Sequence, residues 1–241
     1  MESHSAMLQE TRTDDPLLRA RLAADAERVF SAREAGDVAI VPLDVAYAII
    51  GMKTKAIAAI FAAKERSFEK PSGMFGNLNL SNELHLLSPE KRGIAHSLVK
   101  RHNLPFSIVA EYLRNHPLLR QVEPFVLENS TKNGTLDILM NAGALHNEIA
   151  RLSAERQRPV FGSSANRSLT GSKYRLSDIE PAVRAAAAVA IDHGTSKYAN
   201  AEGRSSTIID FRNFAVLRQG VCFNEIRAIF ERDFGIALKA S

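Results

Sequence analysis

Pro159-Val160-Phe161-Gly162-Ser163-Ser164-Ala165-Asn166-Arg167-Ser168 passes from apolar to small and polar within one short segment. Pro159 to Ser163 reads as a strand, and the hydroxyl and amide side chains that follow read as its exit turn. Such a turn commonly serves only to satisfy its own backbone. Far upstream, Lys64-Glu65-Arg66 with Lys70-Pro71 places cations at the end of a predicted helix. Thr54 caps that helix, and Ile57, Ile60 and Phe61 form its apolar face. Cations at a helix C-terminus suit the macrodipole, so a solvated helix end is the plain reading of Lys64, Arg66 and Lys70. Cations in one segment and small hydrogen-bonding side chains in the other together predict a site for a polyphosphate.

Outward from these segments, Met1 to Asp15 is polar and acidic and reads as a flexible tail, with residues 16–241 as a single domain. Pro16 suits a helix N1 position, Leu17, Leu18, Leu22, Val29 and Phe30 recur at helical spacing, and Gly36 ends the helix. Val38 to Val41 is a short buried strand, and a second apolar run from Ala46 to Ile50 is broken by Gly51. The pattern from Pro89 to about Leu119 is helical, interrupted at Pro105 and Pro117. Val122 to Leu127 and Thr135 to Met140 read as strands, and Gly143 to Arg156 as a helix. Leu176 to Ala187 reads as a helix capped by Ser177, and Ala188 to Asp192, Ser206 to Asp210 and Ala215 to Leu217 as strands. Asn224 caps a closing helix with the stripe Ile226, Ile229 and Phe230. Asp192 to Ser206, rich in Gly, Ser and Asn, is a loop of a length that often carries function. Gly134 and Asn213 allow antiparallel connections, so the expected fold is α/β, a mixed sheet flanked by helices.

The chain has 241 residues, 45% of them hydrophobic, enough to bury a core. Its net charge of +4 at pH 7 suits a partner that carries phosphates. Cys222 is the only cysteine, which excludes an intrachain disulfide and a cysteine-based metal cluster. The histidines show no metal-ligand spacing, and no protein-held metal is expected. No GxxxxGK[ST], GxGxxG or GxSxG motif is present, so P-loop, Rossmann and serine-hydrolase readings fall away. No apolar run approaches the roughly 20 residues of a membrane span, and the N-terminus is not a basic-then-apolar leader. The expected setting is cytoplasmic, with no membrane partner.

A longer comparison joins these pieces. Val41-Pro42-Leu43-Asp44-Val45-Ala46-Tyr47-Ala48-Ile49 is similar to a Pro-Thr-Glu-Thr-x-Tyr-Gly-Leu opening, and Lys64-Glu65-Arg66 with Lys70-Pro71 to a Lys-x-Arg helix end. Ser164-Ala165-Asn166-Arg167-Ser168 is similar to Ser-Ala-Asn-x-Ser. Ser206-Thr207-Ile208-Ile209-Asp210 and Leu217-Arg218-Gln219-Gly220 are similar to Ser-Thr-Val-Val-Asp and Leu-Arg-x-Gly. In this order, over about residues 37 to 230, the motifs resemble the YrdC-like family. Its best-known members are the L-threonylcarbamoyladenylate synthases of tRNA modification.

What the resemblance implies is a YrdC-like α/β fold, a twisted mixed sheet flanked by helices with a basic cleft, and a nucleotidyltransferase that joins threonine, bicarbonate and ATP. Threonine and bicarbonate give a carbamate, and its oxygen displaces pyrophosphate from the α-phosphate. By the same resemblance Lys64 and Arg66 are catalytic, as cations on the departing pyrophosphate. They bind the nucleotide together with Ser164, Asn166, Ser206 and Arg218, and Mg2+ bridges the phosphate oxygens. Tyr47 and Asp44 would meet the amino acid. Plainer readings stand beside these: Tyr47 as core, Asp44 as a turn cap, Arg218 as half of an ion pair, Ser206 as a strand residue.

Several positions depart from the family pattern. Leu43 and Val45 stand where it has hydroxyl residues and Ala48 where it has glycine, so the amino-acid pocket has lost polar groups and the acceptor is expected to be altered. Its Trp-Pro-Gly-Pro segment is replaced by Asn103-Leu104-Pro105-Phe106-Ser107. Thr135 to Met140 supplies no arginine where the family carries Val-Arg-x-Pro. The alternative function is a catalytically silent protein that binds a nucleotide or double-stranded RNA. Arg151, Arg156 and Arg158 form the other local concentration of positive charge.

Overall fold

Short apolar and β-branched runs supply the strands of a mixed sheet in the computed structural model, which describes residues 15–65, 67 and 70–240. Except for Asp15, the tail expected over residues 1–15 lies outside the described residues, and so does Arg66. The strands are β1 (Ala39–Val41), β2 (Ala48–Gly51), β3 (Gly73–Phe75), β4 (Phe106–Glu111), β5 (Thr131–Lys132), β6 (Thr135–Met140), β7 (Val160–Ser164), β8 (Val189–Ala190), β9 (Thr207–Asp210), β10 (Ala215–Arg218) and β11 (Lys239–Ala240). Their spatial order is β11-β10-β9-β4-β6-β3-β7-β2-β1-β8, with β5 folded onto β6. Asn133 and Gly134, both at positive φ, turn that hairpin. Parallel pairs β3/β6 and β4/β9 alternate with antiparallel pairs β4/β6, β3/β7 and β2/β7.

The period-2 alternation of side chains sorts the two faces. Ile49, Met74, Ile108, Ile138, Phe161 and Ile209 point to one face and are buried against the helices Thr54–Ala63, Pro89–His96 and Phe223–Phe234. On the other face, Ala39, Val41, Ala48, Ile50, Phe75 and Val160 pack against Pro16–Glu34 and Ala144–Glu155 through Ala26, Val29, Phe30, Leu145, Ile149 and Leu152. On the strands that second cluster reaches β3 and Leu139 of β6, and it also takes in Val221 beyond β10. A cleft lies on the same face between them, lined by Ser107, Asp137, Ile208 and Arg218 among others.

Some local readings change in the fold. The helix from Pro89 ends at His96 with a π-helical turn, Ser97–Arg101, and Phe106–Glu111 is a strand. Pairing on both sides, to β6 and β9, outweighs its helix-compatible spacing. Pro124 opens a short helix, Pro124–Glu128, where a strand is predicted. Leu176 to Ala187 splits into a 3-10 turn, Leu176–Asp178, and the helix Pro181–Ala185, because proline opens a helix and does not continue one. Ser177 therefore caps nothing. Lys53, not Thr54, holds the N-cap position, and the Thr54 N–H donates to the Glu123 carboxylate at 2.7 Å. Cys222, not Asn224, stands at the N-cap of the closing helix. Among the described residues no helix is long and apolar enough to cross a membrane.

Candidate active site

Glycines and serines floor the cleft. Gly162 of β7 lies opposite both Gly73 of β3 and Ile50 of β2. A Cβ on Gly162 would fall 2.5 Å from the Ile49 carbonyl oxygen and from Ile50 Cγ2, so a side chain there would push the strands apart. Beside this floor is a cavity of about 160 Å³, lined among others by Leu43, Val45, Tyr47, Ser107, Asp137, Leu139, Ser164, Ser206 and Arg218.

Ser206 and Arg218 form one unit. Nε of Arg218 donates to the Ser206 carbonyl at 2.8 Å, and Nη2 donates to Ser206 Oγ at 2.8 Å. Gly220 explains how the two segments approach: a Cβ there would sit 2.1 Å from the Ser205 carbonyl oxygen and 2.3 Å from the Ser206 carbonyl carbon. The Gly220 N–H donates to Thr207 Oγ1 and the Val221 N–H to the Ser205 carbonyl, which closes the junction. Arg218 is an exposed residue of β10 whose guanidinium is packed against Ser206; that packing desolvates it and lowers its pKa, while the charge of Asp137 acts the other way.

Lys64 sits behind the cavity wall. It is 1% exposed, and its ammonium donates to the carbonyls of Ser164 and Asn166, the latter at 2.5 Å. The Ser168 N–H returns a bond to the Lys64 carbonyl at 2.9 Å. The helix end is thus stapled to the exit of β7, and Lys64 is not a solvated surface cation. Asn166 is buried, its Nδ2 donates to the Arg167 carbonyl at 2.5 Å, and its Oδ1 is buried without a hydrogen-bond partner.

Tyr47 lines the cavity, but its hydroxyl donates to Asp192 Oδ1 at 2.7 Å and lies 2.8 Å from the Gly194 carbonyl. It holds the start of the long loop, and burial with the neighbouring Asp192 charge pushes its pKa up. Asp44 faces a neighbouring cavity, with Lys197, instead of this one. Burial raises the Asp44 pKa and Lys197 counters it. Tyr47, Ser164, Ser206 and Arg218 therefore share one cavity, Lys64 and Asn166 support its wall, and Asp44 lies apart.

Asp137 is the residue that sequence reasoning missed. It projects from β6 into the cavity, and its Oδ1 is sealed from solvent without a partner. Burial pushes its pKa up to about 6, against the pull of Arg218 and the Ser107 hydroxyl. The available signal was one carboxylate inside the apolar run Leu136, Ile138, Leu139, Met140. Among the described residues no group of three or more His, Cys, Asp or Glu is placed to hold a metal ion. The donors present, hydroxyls and a guanidinium, suit phosphate oxygens.

A mixed sheet with this glycine, serine and arginine cleft on one face defines a YrdC-like domain. The family follows from the sequence: the model of the Sua5/YciO/YrdC family, described as "Telomere recombination", matches residues 31–220, and the chain belongs to that family. No curated protein matches the chain significantly in sequence. Among solved structures, a hypothetical protein of Streptococcus mutans UA159 superposes with a TM-score of 0.69 at 16% identity, over 89% of this chain and 94% of that one. P. abyssi Sua5 complexed with L-threonine superposes with a TM-score of 0.67 at 22% identity, over 91% of this chain and 58% of that one. E. coli YciO gives 0.59 at 16% identity, over 83% and 90%. The chain thus spans under two thirds of the Sua5 chain, and these likenesses show the fold.

Proposed function

We propose that the protein is an ATP-dependent nucleotidyltransferase of the threonylcarbamoyl-adenylate type with an altered acceptor. The observation that carries this reading is the convergence of Ser164, Ser206 and Arg218 on one cavity of the sheet face. Membership of the Sua5/YciO/YrdC family supports it. An amine condenses with bicarbonate, losing water, to give a carbamate. A carbamate oxygen then attacks the α-phosphorus of ATP, the bond to the bridging oxygen breaks, and pyrophosphate leaves. Arg218 and the two serine hydroxyls meet the negative charge that builds on the phosphate oxygens. Mg2+ bound to the nucleotide would supply further charge screening on those phosphates, and the residues of the cleft would not have to hold it.

Pyrophosphate release from ATP with magnesium and bicarbonate tests the reading, run with threonine, with other amines and with none. Amine-dependent release is expected, and no release with any amine would overturn it. RNA binding is the weaker reading. Arg151 donates to Glu148 at 2.9 Å and to Glu155 at 2.5 Å, and Arg156 donates to Glu27 at 2.5 Å. Arg151 and Arg156, two of the three arginines of that concentration, are thus paired with carboxylates, whereas an RNA surface needs cations free for phosphates.

A further inference from the structure

Asp137 lines the cavity and, as a residue, is only part-buried, so its side chain is not wholly closed off from a ligand there. Its Oδ1 is excluded from solvent and has no partner, a costly state for a carboxylate oxygen. Arg218 does not fill it: Nε and Nη2 of that guanidinium are directed to Ser206, and the two charges attract across the cavity without forming an ion pair. Ser107 lies beside the carboxylate and lowers its pKa, and Oδ1 is still without a partner. On the β3 side Gly73 leaves room, since a Cβ there would lie 3.3 Å from Asp137 Oδ2. The position is set by the register of central strands, with Asp137 paired to Val109 of β4. Leu43, Val45 and Leu139 give the same cavity an apolar wall.

We propose that Asp137 is the docking point for a cationic nitrogen, and that the co-substrate of this cleft is a small diamine or diamino acid with its alkyl chain against Leu43, Val45 and Leu139. An ammonium paired with a carboxylate has no free electron pair, so the nitrogen held by Asp137 is not the one that is carboxylated. The second amine takes that role, and to that extent the inference rests on the adenylation reading. A carboxylate placed at the same point would meet like charge, which disfavours recognition of an acceptor by its acid group there.

Calorimetric titration of the full chain with 1,4-diaminobutane and L-lysine, and with butyrate as the anionic counterpart, tests this. The diamine and lysine are expected to bind the wild type in preference to butyrate, and Asp137→Asn and Asp137→Ser to weaken both by about tenfold or more. Butyrate binding to the variants should be unchanged or tighter. Diamine binding that is equal in the wild type and in either folded variant, or weaker than butyrate in the wild type, would overturn the assignment. Asp137-dependent diamine binding without pyrophosphate release from any amine would sustain the docking point and sink the adenylation reading. Threonine-dependent release unchanged in Asp137→Asn would do the reverse.

Discussion

The ammonium of Lys64 donates to the backbone carbonyl of Ser164 across a sequence separation of 100 residues, and to that of Asn166 beside it. The two segments that predict a polyphosphate site therefore meet directly, cation to carbonyl. The contact braces the strand exit that carries Ser164.

Lys64→Met should destabilise the protein, because a buried and a part-buried carbonyl lose their charged donor. A loss of roughly 2–4 kcal/mol is expected in chemical denaturation, with ATP affinity falling as the β7 exit relaxes. An unchanged melting temperature would mean that the clamp contributes nothing.

Gly220→Ala should disturb the Ser206–Arg218 unit without touching either side chain. The added methyl would meet the backbone of Ser205 and Ser206 at 2.1–2.3 Å, so the two segments must separate, at a cost of about 2 kcal/mol or more. Nucleotide titration should show weakened binding, with thermal melting as the control; wild-type affinity would show that the junction does not position the site.

Arg218→Lys should leave the fold intact and weaken ATP binding by about tenfold. Lysine carries a point charge and cannot bond both oxygens of Ser206 while offering further donors to phosphate. Undiminished affinity in calorimetry would remove Arg218 from the nucleotide site.

Asp137 makes stability depend on pH in a defined direction. Its pKa rises from 3.8 to about 6 on folding, so between those values the native state binds more protons than the unfolded state. Stability from this group is full at the acid end and falls as pH rises through the window. Asp137→Asn should therefore gain stability relative to the wild type at neutral pH, by about 1–3 kcal/mol, and lose that advantage near pH 4. A constant difference across the range would contradict burial of an ionised carboxylate.

His85 and His146 act with the opposite slope. Burial lowers each to about 4 from 6.5. Their neutral forms are native, so their contribution is present above about pH 6.5 and is lost as pH falls toward 4. Urea unfolding of the wild type and of His146→Phe should show the variant less sensitive to acid; parallel curves would place His146 in a solvated setting.

Many of the strands and helices and the Ser-Ala-Asn and Leu-Arg-x-Gly segments were readable because each is a local pattern in the chain, but β3 and the helix Leu78–Leu84 were not read and Pro124–Glu128 was read as a strand. Nor was β4 readable, since Phe106 to Glu111 has a spacing that suits either period, and pairing to β6 and β9 decides between them. Asp137 was passed over because its burial comes from neighbours on other strands. Lys64 was read as a cation for phosphates because nothing adjacent to it in the chain announces the carbonyls it serves.

Short-range pattern was sufficient for the α/β class and for the identity of the hydroxyls and cations, and the order of short motifs over about residues 37 to 230 carried the resemblance to the family. Which face of the sheet carries the cleft, that Ser164, Ser206 and Arg218 share a cavity with Asp137, and that Lys64 turns inward all had to await folding. Register brings residues from distant strands onto one face, and the charge, bonding and proton affinity of each then follow from desolvation by neighbours that the linear chain does not bring together.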